Sequence, residues 1–150
     1  MAIQIHKASL EDLESLVPLF DEYRVFYGCQ SEPPQVRNFL SERLSNQDSA
    51  ILLAADDSAE GLGFTQLYPC FSSVAMKPIW ILDDLFVAEK ARRTGVGKNL
   101  LQAAAEYSSQ TGSARLELAT SKDNLSAKSL YESVGYLLDE EFDHYQLPTD

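Results

Sequence analysis

Residues 91–101 read ARRTGVGKNLL, placing two arginines and two glycines directly ahead of an apolar run with helical spacing, in a chain whose formal net charge is −11. Glycine lets the backbone curl and approach a ligand. The free N–H groups of a helix's first turn, reinforced by the helix dipole, offer an anion a site. Lys90, Arg92, Arg93 and Lys98 add a cationic patch that the chain otherwise lacks. The turn therefore suits a phosphate. It is not a P-loop, because Arg92 and Asn99 stand where that motif needs Gly and Ser or Thr. Nor is it the dinucleotide fingerprint, whose third glycine is replaced by Leu100.

Upstream lies PIWILDDLFV (78–87), the most strand-like segment of the chain, interrupted by Asp83 and Asp84. Strand alternation sends one of these carboxylates to each face, so at most one is expected to face a given pocket. Downstream, Val96, Leu100, Leu101, Ala104 and Tyr107 continue a helix that stops near Gly112. ARLELA (114–119) alternates as a strand, DNLSAKSLYESVGY (123–136) reads as a helix closed by Gly135, and residues 136–147 are expected to hold one or two closing strands.

Toward the N-terminus, AIQIHKA (2–8) alternates as a half-buried strand, and the Ser9–Asp12 spacing predicts a capping box opening a helix from Leu10 to about Tyr27, with Pro18 inside it. SEPPQ starts a second helix carrying Val36, Phe39, Leu40 and Leu44. AILLAA (50–55) and GFTQLY (63–68) read as two strands joined by a hairpin, and residues 69–78 as a mobile loop. The order β-α-α-β-β-β-α-β-α-β, without linker or repeat, predicts one mixed α/β domain over residues 1–150.

The spacing Arg92-x-x-Gly95-x-Gly97, preceded by the strand LDDLFV and followed by Asn124-x-x-Ala127-x-x-x-Tyr131-x-x-x-Gly135-Tyr136, resembles the GCN5-related N-acetyltransferase (GNAT) superfamily. The motifs cover residues 80–136, and the element order extends the likeness over nearly the whole chain. The resemblance implies a mixed, mostly antiparallel central sheet of six to seven strands flanked by about four helices. It also implies an acetyl-CoA-dependent N-acetyltransferase, with a non-catalytic acyl-CoA-binding sensor of the same fold as the alternative.

By the same resemblance, the loop Arg92, Arg93, Thr94, Gly95, Val96, Gly97 and Lys98 would hold the coenzyme A pyrophosphate, largely on backbone amides. The main chain of Leu85, Phe86 and Val87 would pair with pantetheine, and Asn124 would hydrogen-bond it beside the small Ala127. The Tyr131 hydroxyl would meet the coenzyme sulfur. A phenol with pKa near 10 can protonate a thiolate whose conjugate acid has pKa about 8.5, so Tyr131 is the candidate general acid. Asp83 and Asp84 are candidates to bind an acceptor ammonium or take its proton. Paired acids before an aromatic-rich strand resemble the spermidine and diamine acetyltransferase branch, implying a small cationic or polyamine-like primary amine as acceptor. Tyr23, Phe26 and Tyr27 could wall its pocket. A homodimer is common in the family.

Composition is that of a globular protein, at 45% apolar and 10% aromatic residues. With 23 Asp and Glu against 12 Lys and Arg, the surface opposes nucleic acid, and the surplus acid either attracts a cationic ligand or serves solubility alone. Cys29, Cys70, His6 and His144 are too few and too scattered for a disulfide framework or a metal site, so no metal is expected. No stretch approaches the roughly 18 apolar residues of a membrane span, and a cytoplasmic address is the default expectation.

Overall fold

Ser9 ends the first strand, β1 (Gln4–Lys7), and begins a helix. Its hydroxyl accepts from Glu11 N at 3.3 Å while Asp12 Oδ2 accepts from Ser9 N at 2.9 Å, the reciprocal cap that the spacing predicts. A 3-10 turn (Leu10–Asp12) leads into α1 (Leu13–Phe26), and α2 (Pro33–Asn46) starts on two prolines whose missing N–H groups would have had no helical acceptor. There follow β2 (Ala50–Ala55), β3 (Gly61–Ser72), β4 (Lys77–Val87), a second 3-10 turn (Glu89–Ala91), α3 (Val96–Gln110), β5 (Leu116–Leu118) and α4 (Leu125–Ser133). This computed structural model describes residues 2–149 and divides into two compact units, Met1–Ala119 and Thr120–Asp150.

In the first unit the sheet order is β1-β2-β3-β4-β5. The first four strands are antiparallel neighbours, whereas β5 runs parallel to β4 and is reached through the α3 crossover. The unbroken apolar run of β2 is buried along its whole length, as a strand covered on both faces must be. Leu16, Val17, Leu19 and Phe20 of α1 and Val36 and Leu40 of α2 cluster with Ile51, Leu53, Phe64 and Phe86 of the sheet. Val96, Leu100, Leu101 and Ala104 bury the apolar stripe of α3, which lies across β1 to β4 outside that cluster.

The α/β class, the mixed and mostly antiparallel sheet and, among the described residues, the four helices are as expected, but among those residues the sheet has five strands rather than six to seven. Two local expectations give way. Residues 69–78 are not a loop: β3 runs through Ser72 and pairs with Lys77 across a tight turn. Pro69 is tolerated because it faces Trp80, whose N–H donates away from β3 to Arg115 O at 3.2 Å, so the missing proline N–H costs no ladder bond.

The closing strands expected over residues 136–147 are the second difference, since no strand follows β5 among the described residues. There Asp139 Oδ1 accepts from Glu141 N at 2.9 Å and from Phe142 N at 3.2 Å, and this side-chain turn takes backbone donors that a ladder would need. Within this second unit, α4 ends ahead of Gly135 at φ 103, and none of its residues is fully buried. Leu130 and Val134 are only half-buried.

Candidate active site

The β3–β4 ladder slips by one residue beside the paired aspartates. Gln66 pairs with Asp84 and Leu67 with Leu82, leaving Asp83 as the extra residue of a β-bulge. A bulge breaks strict alternation and re-aims side chains. Both carboxylates consequently line one cavity of about 470 Å³, against the expectation that alternation would separate them. Phe20, Tyr23, Phe39 and Tyr68 form its aromatic walls. Arg24, paired to Glu32 at 3.0 Å, completes the polar lining together with Gln35. Of the aromatic trio singled out on the first helix, Tyr23 reaches this cavity, while Phe26 and Tyr27 are exposed and do not line it.

Asp83 is exposed and Asp84 is 6% exposed. Burial pushes the Asp84 carboxyl up to about 6; hydrogen bonds from Gln66 and Tyr23 favour its charged form and oppose the shift, while Asp83 adds to it. Gln66 Nε2 donates to Asp84 Oδ2 at 3.0 Å, and Thr65 Oγ1 donates to the Asp84 carbonyl at 2.8 Å. The Tyr23 hydroxyl lies 3.4 Å from the Asp83 carbonyl. Its phenol is raised by burial and then by the Asp84 charge, as is that of Tyr68. A carboxylate whose pKa stands near neutrality inside an aromatic cavity can attract a cation and take a proton from it.

Further along, β5 ends at Leu118 opposite Leu82, so from Asp83 to Val87 the far edge of β4 has no strand partner among the described residues. Leu85, Phe86 and Val87 lie on this edge, with Phe86 buried in the core. The chain then turns into the glycine loop. Arg92 folds back, Nε donating to the Val87 carbonyl at 3.1 Å with its guanidinium 5.7 Å from the Phe86 ring centre. Thr94 Oγ1 bonds the Ala91 carbonyl. Lys90 is engaged by Glu60, leaving Arg93 and Lys98 as the exposed cations nearest the helix start.

Gly95 is the N-cap of α3 at φ 89, and it provides no side-chain cap for the amides of Val96, Gly97 and Lys98. A Cβ built on Gly95 would meet nothing within 4 Å, so its glycine character answers to backbone conformation and not to crowding. An uncapped helix start among exposed cations fits the phosphate groups of coenzyme A.

The remaining predicted residues belong to the second unit. Asn124 is the N-cap of α4, its Oδ1 accepting from Ala127 N at 3.2 Å, while its amide NH2 keeps two donors. Tyr131 is half-buried, with its ring 5.9 Å from that of Tyr136. Sequence reasoning missed Gln66, Tyr68, Phe20 and Phe39 as site residues. The adjacent polar pair Thr65–Gln66, inside a strand otherwise filled with apolar residues, was the only signal available.

The acetyltransferase (GNAT) family model matches residues 14–136. An uncharacterized N-acetyltransferase of Bacillus subtilis (strain 168), YhfO, is 47% identical over 145 residues, covering 97% of each chain. A probable acetyltransferase of Haemophilus influenzae (strain ATCC 51907 / DSM 11121 / KW20 / Rd) is 32% identical over 136 residues, covering 91% of each. The crystal structure of a probable acetyltransferase superposes with a TM-score of 0.94 at 47% identity, covering 98% of both chains. The chain belongs to the GNAT acetyltransferase family and is an N-acetyltransferase with acetyl-CoA as its acetyl donor.

Proposed function

We propose that residues 1–150 act as one N-acetyltransferase domain that acetylates a small, cationic primary amine, polyamine-like in chemistry, by direct attack on the thioester. The observation that carries this reading is the aromatic cavity into which the bulge brings both Asp83 and Asp84. An ammonium is attracted by two carboxylates and by the faces of the tyrosine and phenylalanine rings, whereas an anionic acceptor is repelled.

Acetyl-CoA supplies the activated acetyl group. The phosphates are held on the amides of Gly95, Val96, Gly97 and Lys98, with Arg92, Arg93 and Thr94 shaping and charging the loop. Pantetheine pairs with the open edge at Leu85, Phe86 and Val87, and Asn124, beside the small Ala127, donates to it. Asp83 holds the acceptor's charge. Asp84 takes one ammonium proton, directly or through a water, so that the amine attacks as a neutral nucleophile. As the new C–N bond forms and the C–S bond breaks, the Tyr131 phenol gives its proton to the departing thiolate. The second nitrogen proton restores the phenol, and Asp84 releases its own to solvent, leaving amide, free thiol and one proton.

Thiol release with acetyl-CoA and a panel of amines tests the reading. Diamines and polyamines should exceed neutral or carboxylate-bearing amines, with the preference shrinking as salt rises. Equal use of anionic acceptors would overturn it.

A further inference from the structure

A hydrogen-bonded chain, part-buried at Ser49 and buried at Gln66, runs behind the cavity from the start of β2 through β3 to β4. Ser49, just ahead of β2, donates from Oγ to Gln66 Oε1 at 2.9 Å, and Gln66 Nε2 donates in turn to Asp84 Oδ2 at 3.0 Å. Gln66 is wholly buried and stands beside Ile51 on one side and Asp84 on the other, at the edge of the bulge. We infer that Ser49 and Gln66 are positioning residues that fix the orientation and charge of the Asp84 carboxylate for the acceptor amine. This inference rests on the assignment of Asp84 as the group that receives the ammonium proton.

The chemistry of the amide makes the direction of the chain decisive. A glutamine side chain offers an acceptor at one end and donors at the other. Turned over, it would set its carbonyl against the Asp84 carboxylate, and two acceptors cannot share a hydrogen bond. The Asp84 carboxylate, which only accepts, therefore selects the orientation that presents Nε2 to it, and the Ser49 hydroxyl, donating to Oε1, satisfies and steadies the far end of the amide. One carboxylate oxygen is thereby anchored on the sheet side. Left to itself, a carboxylate this deeply buried would be held protonated more strongly, and the bond from Gln66 offsets part of that penalty. Ser49 and Gln66 do not line the cavity, so they act on the acceptor only through Asp84.

The other titratable groups that line the cavity with Asp84 are Tyr23 and Arg24 from α1, Glu32 ahead of α2, Tyr68 from β3 and Asp83 from its own strand. Ser49→Ala and Gln66→Leu change none of these charges, so a shift in Asp84 titration reports the chain itself. The test uses the full-length protein with carbon-13 in its aspartate carboxyls, the Asp84 signal being assigned by its loss in Asp84→Asn. Titration of the protein alone should show the Asp84 midpoint rising by about one pH unit in Gln66→Leu and by a few tenths in Ser49→Ala. Ser49→Thr, which keeps the hydroxyl, should titrate as the unsubstituted protein does.

The acid limb of kcat/KM, with acetyl-CoA and 1,4-diaminobutane, should move upward by the same amounts. If Gln66→Leu does not fold, Ser49→Ala decides alone. Unchanged Asp84 titration in a folded Ser49→Ala or Gln66→Leu protein overturns the inference. Should Asp84→Asn keep full turnover, the proton-acceptor assignment fails, and with it the catalytic meaning of the chain. The titration of the ligand-free protein would still report whether the chain sets the Asp84 charge.

Discussion

The glycine loop and the acidic cavity lie in the same unit and are built on opposite plans. In the loop, backbone carries the chemistry: Gly95 at φ 89 opens α3 without a side-chain cap, and Arg92 folds back onto the end of β4. In the cavity, side chains carry it: Asp83 and Asp84 share one space because the ladder slips beside Gln66. Tyr23 joins the two regions, since it lines the cavity and its ring centre lies 6.0 Å from that of Phe86, which Arg92 covers. The difference teaches that a local backbone motif can be read along the chain, whereas a site made across strands depends on register.

The comparison breaks most sharply at Asp84. Asp84→Asn should lower kcat/KM for a diamine by about 10²–10³-fold while leaving acetyl-CoA affinity, measured by calorimetry, near its original value. In the unsubstituted enzyme the rate should fall as pH drops through about 6, where Asp84 takes up its proton. The sign for stability is the reverse of the catalytic one. A folded pKa above the unfolded value means that folding loses stability as pH rises from about 4 to about 6, so Asp84→Asn should stabilise the protein at pH 7.5 by on the order of 1–3 kcal/mol, read from denaturant unfolding. A less stable Asn variant would contradict the burial argument.

Tyr131→Phe should come next, with kcat reduced by about 10–100-fold and coenzyme binding little changed. An unaltered kcat would remove Tyr131 as the acid. On the loop side the effect should fall on binding instead. Gly95→Val has open space for its side chain but forces a β-branched residue into left-handed backbone, so acetyl-CoA affinity should weaken by about tenfold, with a lower Tm. Arg93→Ala is the mildest, a loss of about two- to five-fold in acetyl-CoA affinity that shrinks as salt rises. A salt-independent loss would mean that Arg93 works through loop shape, as its own φ of 65 would allow, and not through charge.

Much of the fold was legible because its signals are local. The Ser9–Asp12 cap, the prolines opening α2, the apolar run of β2 and the stripe Val96, Leu100, Leu101, Ala104 each declare an element within a few residues. Pro69 misled because its effect on a strand depends on which way the opposite N–H points, and the N–H of Trp80 points to Arg115. Residues 136–147 misled because a strand needs a partner that the sequence does not supply, while Asp139 claims the backbone donors nearby.

For the candidate site, the sequence alone determined the glycine-rich turn before a helix, the pair of aspartates in an apolar strand and the family that joins them. These rest on residues close in the chain, where backbone conformation and residue type decide the outcome. Only tertiary structure decided that both aspartates enter one cavity, that Phe20, Phe39 and Tyr68 wall it, and that Ser49 and Gln66 stand behind Asp84. The physical reason is the bulge. One extra residue in β4 moves every later side chain by one pleat relative to β3, and which partner then faces which carboxylate is a property of the paired strands, not of either strand by itself.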